Sequence, residues 1–189
     1  MKELEERILK DGKVINDDII KVDSFINHQI DLKIVEDFAH DVVEHFKGEK
    51  IDKVLTIETS GIAIAYEIAR QLGNKPLVFA KKSKSQIVDD NVYQTIVKSF
   101  TRQHDIKVTV SKLYLHEDER VLIVDDFLAE GNAALGLIDL CKQAKSVVVG
   151  VVPMVEKVFQ GGHKKIEALG IKVYSGAAIK SFDHHKPVF

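Results

Sequence analysis

The sequence predicts an α/β fold, a doubly wound and mostly parallel sheet, on three observations. Residues 54–57 form a short apolar strand pattern, followed by a helical pattern and a second strand, "KPLVFAKK". Strand, helix, strand at this spacing implies parallel strands and a right-handed crossover. The pattern recurs in "RVLIVDD", "GNAALGLIDLCKQA" and "SVVVGVVPMVEK". Finally, the turns "ETSG", "AKKSK" and "DDFLAEGNAA" each follow the carboxyl end of such a strand, the place where open α/β sheets bind ligands. A single domain spans 1–189, with a core over about 36–155, a small hood from about 1–35 and 156–189, and a flexible hairpin arm.

Each element has a local cause. "LEERILKDG" reads as a short helix closed by Gly12. "VINDDIIKVDSFINHQID" has short apolar stretches interrupted by Asn and Asp, and predicts irregular strands. Ile30, Ile34, Val35, Phe38, Ala39, Val42, Val43 and Phe46 recur at helical spacing, with Asp31 as N-cap and Gly48 near the end. A helix over 62–72 stops at Gly73. "VYQTIVKSF" and "IKVTVSKLYL" are β-branched and alternating, and predict a long hairpin or, in part, a flexible arm. "SVVVGVVPMVEK" is nearly continuous in apolar residues, as a strand covered on both faces should be. "KIEALGIKVYSGAAIKSF" gives a short helix and a final strand, and "DHHKPVF" reads as a loose end.

Composition excludes several classes. Basic residues number 27 and acidic ones 29, giving a net charge of −2 with both signs interspersed. That argues against nucleic-acid or membrane-surface partners. The basic cluster "AKKSKS" at 80–85 fits either a solvated loop or a phosphate contact. With one cysteine, Cys141, no disulfide forms within the chain, and its apolar helical setting reads as a buried thiol. The charged, amphipathic "MKELEERILK" is unlike a signal peptide, and no apolar run approaches the ~20 residues that span a bilayer. The expected location is the cytoplasm. His163, His184 and His185 read as surface residues without metal-ligand spacing.

The most informative stretch is "VLIVDDFLAEGNAA", residues 121–134. A strand runs into Asp125 and Asp126, then a small-residue loop, then a helix. A helix N-terminus offers unpaired N–H groups and positive potential, and small residues let an anion approach closely. An ionised carboxylate accepts hydrogen bonds and so suits hydroxyl donors. Phosphate on the loop and hydroxyls on the acids together describe a sugar phosphate. The chain lacks the G-x-G-x-x-G and G-K-[ST] motifs of dinucleotide and P-loop sites. Taken alone, the pair reads equally well as an acidic strand end capping a helix, with a metal site as a third option.

"VLIVDDFLAEGNAA" resembles the phosphoribosyl pyrophosphate motif of type I phosphoribosyltransferases. "KVDSFINHQID", "TIETSGIA", "VFAKKSKS", "YQTIVKSFT" and "VEKVFQGG" extend the resemblance over nearly the whole chain, to the xanthine-using branch. The resemblance implies transfer of a 5-phosphoribosyl group to a purine, with Mg²⁺ bound through the substrate and no dedicated protein metal site, in a homodimer. It assigns Ala129, Glu130, Gly131, Asn132 and Ala133 to the 5′-phosphate, and Asp125 and Asp126 to the ribose as catalytic residues. Thr59, Ser60 and Gly61 would bind the pyrophosphate, joined by Lys81 in its own subunit or across the dimer. Ile20 and Asn27 would line the purine site, and Lys157 would face the exocyclic oxygen of xanthine. The arm "DNVYQTIVKSFTRQHD" would close over the reaction centre. Many members carry threonines in the phosphate loop; with Ala129 and Asn132 here, backbone donors must do more of the holding. Competing readings are a guanine, hypoxanthine or adenine enzyme of the same fold, and a non-catalytic regulator that senses the sugar pyrophosphate.

Overall fold

The computed structural model describes residues 1–16, 18–83, 91–98 and 105–189. In chain order, α1 (Lys2–Asp11) leads into β1 (Lys13–Ile15) and β2 (Ile19–Lys21), a π-helical turn (Asp23–Asn27) and α2 (Leu32–His45). The centre holds β3 (Lys53–Ile57), α3 (Gly61–Gln71), β4 (Leu77–Ser83), β5 (Val92–Lys98), β6 (Asp105–Ser111), β7 (Arg120–Leu128) and α4 (Asn132–Ala144). The chain closes with β8 (Val147–Lys157), a 3₁₀ turn (Val158–Gln160), α5 (Gly162–Glu167), β9 (Lys172–Val173), β10 (Ala177–Ile179), β11 (Ser181–Asp183) and β12 (Lys186–Val188).

The main sheet runs β10-β8-β7-β3-β4-β6-β5, with β9 also paired to β8. The pairs β10–β8, β8–β7, β7–β3 and β3–β4 are parallel. The pairs β4–β6 and β6–β5 are antiparallel. The doubly wound, mostly parallel sheet read from the sequence is thus present. Its centre is buried from both sides, because alternate residues point to opposite faces. On β7, Leu122 and Val124 join the core that includes Phe38 of α2 and Ile64 and Ile68 of α3. Val121 and Ile123 join the core built on Leu137, Leu140 and Cys141 of α4. Burial pushes the Cys141 thiol up to about 11, as expected of an inert structural cysteine.

The start of α2 and the end of α1 are set in different ways. The Asp31 carboxylate accepts from the N–H groups of Lys33 at 3.1 Å and Ile34 at 3.3 Å, a cap that contributes about 1 kcal/mol to α2. Gly12 follows α1, but its φ of −71° is not left-handed. A glycine is needed there because a Cβ would lie 2.4 Å from the Ile8 carbonyl oxygen.

Two expectations are corrected. Residues 14–31 are not merely irregular strands: β1 and β2 form an antiparallel hairpin, and Asp23–Asn27 turns helical, which buries Phe25 and Ile26. "DHHKPVF" is not loose. β11 and β12 pair across a two-residue turn in which His184 and His185 both have positive φ, 46° and 60°. Such turns normally announce themselves as Asn-Gly, so the His-His turn carried no readable signal. The expected hairpin is present as β5 and β6: β6 extends the main sheet beside β4, and Gly136 of α4 packs close to Val97. The tip of the expected arm, 99–104, and the end of "AKKSKS" lie outside the described residues.

Candidate active site

A cavity of about 390 Å³ opens at the carboxyl ends of β3, β4 and β7. Its walls bring together the turn after β3, the acids of β7 and the loop before α4. Thr59, Ser60, Asp125, Asp126, Ala129, Glu130, Gly131, Asn132 and Ala133, widely separated in sequence, all line it. Gly61 starts α3 directly behind the turn. A Cβ there would lie 2.4 Å from Thr56 Oγ1 and 3.2 Å from Asp125 Oδ1, so only glycine lets the helix begin this close to the acids.

Two helices therefore start at one cavity. The N-cap of α3 is Ser60 and that of α4 is Gly131, and neither helix has a side-chain cap. Apart from Ile62, whose N–H donates to the Thr59 carbonyl at 3.1 Å, their first-turn N–H groups keep their capacity to bind an anion, and both dipoles add positive potential. Gly131 has φ +86°, a conformation that favours glycine and turns the loop sharply into α4. Asn132 Nδ2 donates to Glu130 Oε2 at 3.1 Å, so this amide braces the loop itself.

Asp125 and Asp126 differ in environment. Asp125 is buried, and its Oδ1 accepts from the backbone N–H of Asp126 at 3.0 Å. Burial, then the neighbouring Asp126 charge, hold the Asp125 carboxyl well above the usual range, while Lys82 pulls the other way. Asp126 is less buried. One strand thus presents a strongly desolvated carboxyl beside a better solvated one.

Lys82 lines the cavity and Lys81 does not. Neighbours on a strand point to opposite sides, and the sequence offered two adjacent lysines with nothing to choose between them. The Lys82 N–H also donates to Glu58 Oε1 in the turn after β3. Val97 of β5, within the stretch that the resemblance places over the reaction centre, and Ile106 of β6, which no motif marked, also line the wall.

The three expected base-site residues lie outside this cavity lining. Ile20 is buried in the core on β2. Asn27 is exposed at the end of the π turn. Lys157, the last residue of β8, is buried, and its Nζ donates to the Asp18 carbonyl at 3.0 Å. The turn of the β1–β2 hairpin therefore brings Lys157 close to the strand that carries Ile20. Burial pulls the Lys157 ammonium below the usual lysine range, against the opposing charges of Asp18 and Glu130. Of the histidines, His184 and His185 are exposed as expected, whereas His163 is half-buried between Glu156 at 2.9 Å and Glu167 at 3.3 Å. Its partner Glu156 sits beside Lys157 in the buried end of β8, a placement that sequence spacing could not show.

A sheet whose crevice holds two helix starts without side-chain caps and an acid pair defines a class, and comparison supplies its name. Residues 21–174 match the phosphoribosyl transferase domain, and the chain belongs to that family. It is 50% identical over 184 residues to the xanthine phosphoribosyltransferase of Clostridioides difficile strain 630, covering 97% of each chain. It is 50% identical over 189 residues to the xanthine phosphoribosyltransferase of Finegoldia magna, covering 100% of this chain and 99% of the relative. Among solved structures, APRTase from Giardia lamblia complexed with 9-deazaadenine superposes with a TM-score of 0.75 at 22% identity, over 93% of this chain and 96% of that one. At that identity the likeness is one of fold.

Proposed function

We propose that the chain is a purine-salvage enzyme that transfers the 5-phosphoribosyl group from phosphoribosyl pyrophosphate to xanthine, giving xanthosine 5′-monophosphate and pyrophosphate. This reading rests on one cavity that combines two helix N-termini without side-chain caps and an acid pair between them. The α4 end, residues 129–133, takes the 5′-phosphate. The turn Thr59, Ser60 and Gly61 takes the pyrophosphate through backbone N–H groups. Asp125 and Asp126 take the ribose hydroxyls.

In the reaction a purine nitrogen bonds to C1 of the ribose as the bond from C1 to pyrophosphate breaks. Asp126, the less buried acid, faces the positive charge that develops on the sugar. Lys82 adds a cation on the pyrophosphate side of the cavity. Rate comes from positioning and from preorganised charge, and no nucleophile of the protein is required. The oxygen donors of Asp125 and Asp126 suit a hard cation, so they would face Mg²⁺ bound with the substrate, which would supply Lewis-acid stabilisation of the departing pyrophosphate.

Lys157, with Ile20 and Asn27, reads the base: a desolvated ammonium favours an oxygen-rich purine over adenine. Lys81, outside its own cavity, serves the pyrophosphate of the second subunit of a homodimer. The exposed apolar groove between α2 and α3, where Leu32 and Tyr66 stand 77% and 61% exposed next to Thr59, supports such a dimer. On this reading the enzyme works in the cytoplasm; no helix among the described residues is long and apolar enough to cross a membrane.

The test is pyrophosphate release from phosphoribosyl pyrophosphate and Mg²⁺ with each purine base in turn. Xanthine is expected to be fastest. Release with a different base alone overturns the base site and keeps the reaction, and binding of the sugar pyrophosphate without release from any base overturns the enzyme.

A further inference from the structure

We propose that Gly162, backed by Lys165, is a positioning element that sets the backbone of the phosphate loop from outside the cavity. This rests on the reading that residues 129–133 hold the 5′-phosphate. The backbone N–H of Gly162 donates to the Ala129 carbonyl at 3.0 Å, and Lys165 Nζ donates to the Glu130 carbonyl at 2.8 Å. These are consecutive peptide groups at the start of the loop. In a planar trans peptide the C=O and the following N–H point in opposite directions. Holding the two carbonyls outward therefore aims the N–H groups of Glu130 and Gly131 away from the brace, toward the ligand side. Two of the donors that bind an anion are oriented by residues that never touch it.

The fit leaves no room for a side chain. A Cβ on Gly162 would lie 2.4 Å from Ala129 O, 2.7 Å from Gly131 N and 2.9 Å from Glu130 C. All three are backbone atoms of the loop, so no flexible group can yield. The reverse contact is also close: a Cβ on Gly131 would lie 3.1 Å from Gly162 Cα. The brace is itself anchored. His163, the next residue, holds Glu156 at 2.9 Å in the buried end of β8, and Ser175 donates to the same carboxylate. The two glycines of "VFQGGHKK" thus have different reasons: Gly161 has a positive φ of 78° and open space where a Cβ would stand, whereas Gly162 has no positive φ and is required by its close approach to the loop.

The experiment is steady-state kinetics on Gly162→Ala, Lys165→Met, Lys165→Arg and Gly131→Ala, with thermal melts to establish folding. Gly162→Ala is expected to raise the KM for phosphoribosyl pyrophosphate by about tenfold or more, because small displacements of binding groups have large effects. The KM for xanthine should stay within about twofold, a split that general loosening of the fold would not produce. Lys165→Met should raise the same KM less, by about two- to fivefold, and Lys165→Arg should restore it by keeping a donor. If Gly162→Ala does not fold, the Lys165 pair decides. An unchanged KM for phosphoribosyl pyrophosphate in folded Gly162→Ala, or in Lys165→Met, overturns the brace, as does an equal rise in both KM values. Gly131→Ala separates the two readings: if it too leaves that KM unchanged, the loop assignment fails, whereas a rise there alone condemns only the brace.

Discussion

The proposed phosphate side and the proposed base side of this site are built in opposite ways. The proposed phosphate side is assembled from strand ends and helix starts that are contiguous in sequence, 58–61 and 125–134, and would bind largely through backbone N–H donors. The proposed base side would depend on side chains carried by separate terminal segments: Lys157 at the end of β8 reaches Asp18, 139 positions away. Backbone donors are oriented by the local fold and survive side-chain substitution. Side-chain donors depend on how distant segments dock, and so specificity for the base can change without disturbing the sugar site.

Substitutions at the acids should break the phosphate side most severely. Asp125→Asn and Asp126→Asn are each expected to lower kcat by about 10²–10³, the scale for loss of a preorganised charge at the reacting centre. Asp125→Asn should also melt higher than wild type at neutral pH. Its folded carboxyl titrates well above the ordinary value of 3.8, so the wild type loses stability as pH rises from about 4 toward that raised value, and an amide does not. Each kcal/mol gained reads as about 2–4 °C in a chain of this size. A melt unchanged between pH 4 and 8 would remove the buried-acid account of Asp125.

Lys157→Ala sharpens the comparison from the base side. It should weaken xanthine binding by about 2–4 kcal/mol, as expected for a desolvated donor, and leave the KM for phosphoribosyl pyrophosphate alone. An unchanged KM for xanthine would sink the assignment.

The smallest expected effect is at His163, which lies between the two sides. Burial lowers its pKa, but the hydrogen bonds and charges of Glu156 and Glu167 outweigh it and raise it above 6.5. Its contribution to stability is full below 6.5 and is lost as pH rises through the higher folded value. His163→Gln should therefore be less stable than wild type at pH 6, by about 1 kcal/mol because Gln keeps a donor for the buried Glu156, with the difference shrinking at pH 9 in urea titrations. A difference independent of pH would mean that packing, not charge, holds that turn.

Legibility follows the same division. "VLIVDDFLAEGNAA" and "ETSG" were readable because strand, turn and helix start are adjacent, and each local feature has a local cause. The two interlocked glycines were half readable: Gly131 by its place before a helix, Gly162 only once the loop of another segment was seen against it. Lys82 could not be told from Lys81, since strand alternation says that two neighbours differ but not which one faces inward. The His184–His185 turn lacked the residues that usually mark a hairpin.

By itself the sequence determined the order of strands and helices in the central 53–157, the two-sided burial of the sheet and the residues of the acid-and-loop motif, because periodicity and turn chemistry act over a few residues. Tertiary structure alone decided which lysine faces the cavity, how the ends of the chain meet at Asp18 and Lys157, and which glycine packs against the loop before α4. Those choices depend on contacts between segments distant in sequence, and a contact of that kind leaves no local periodicity to read.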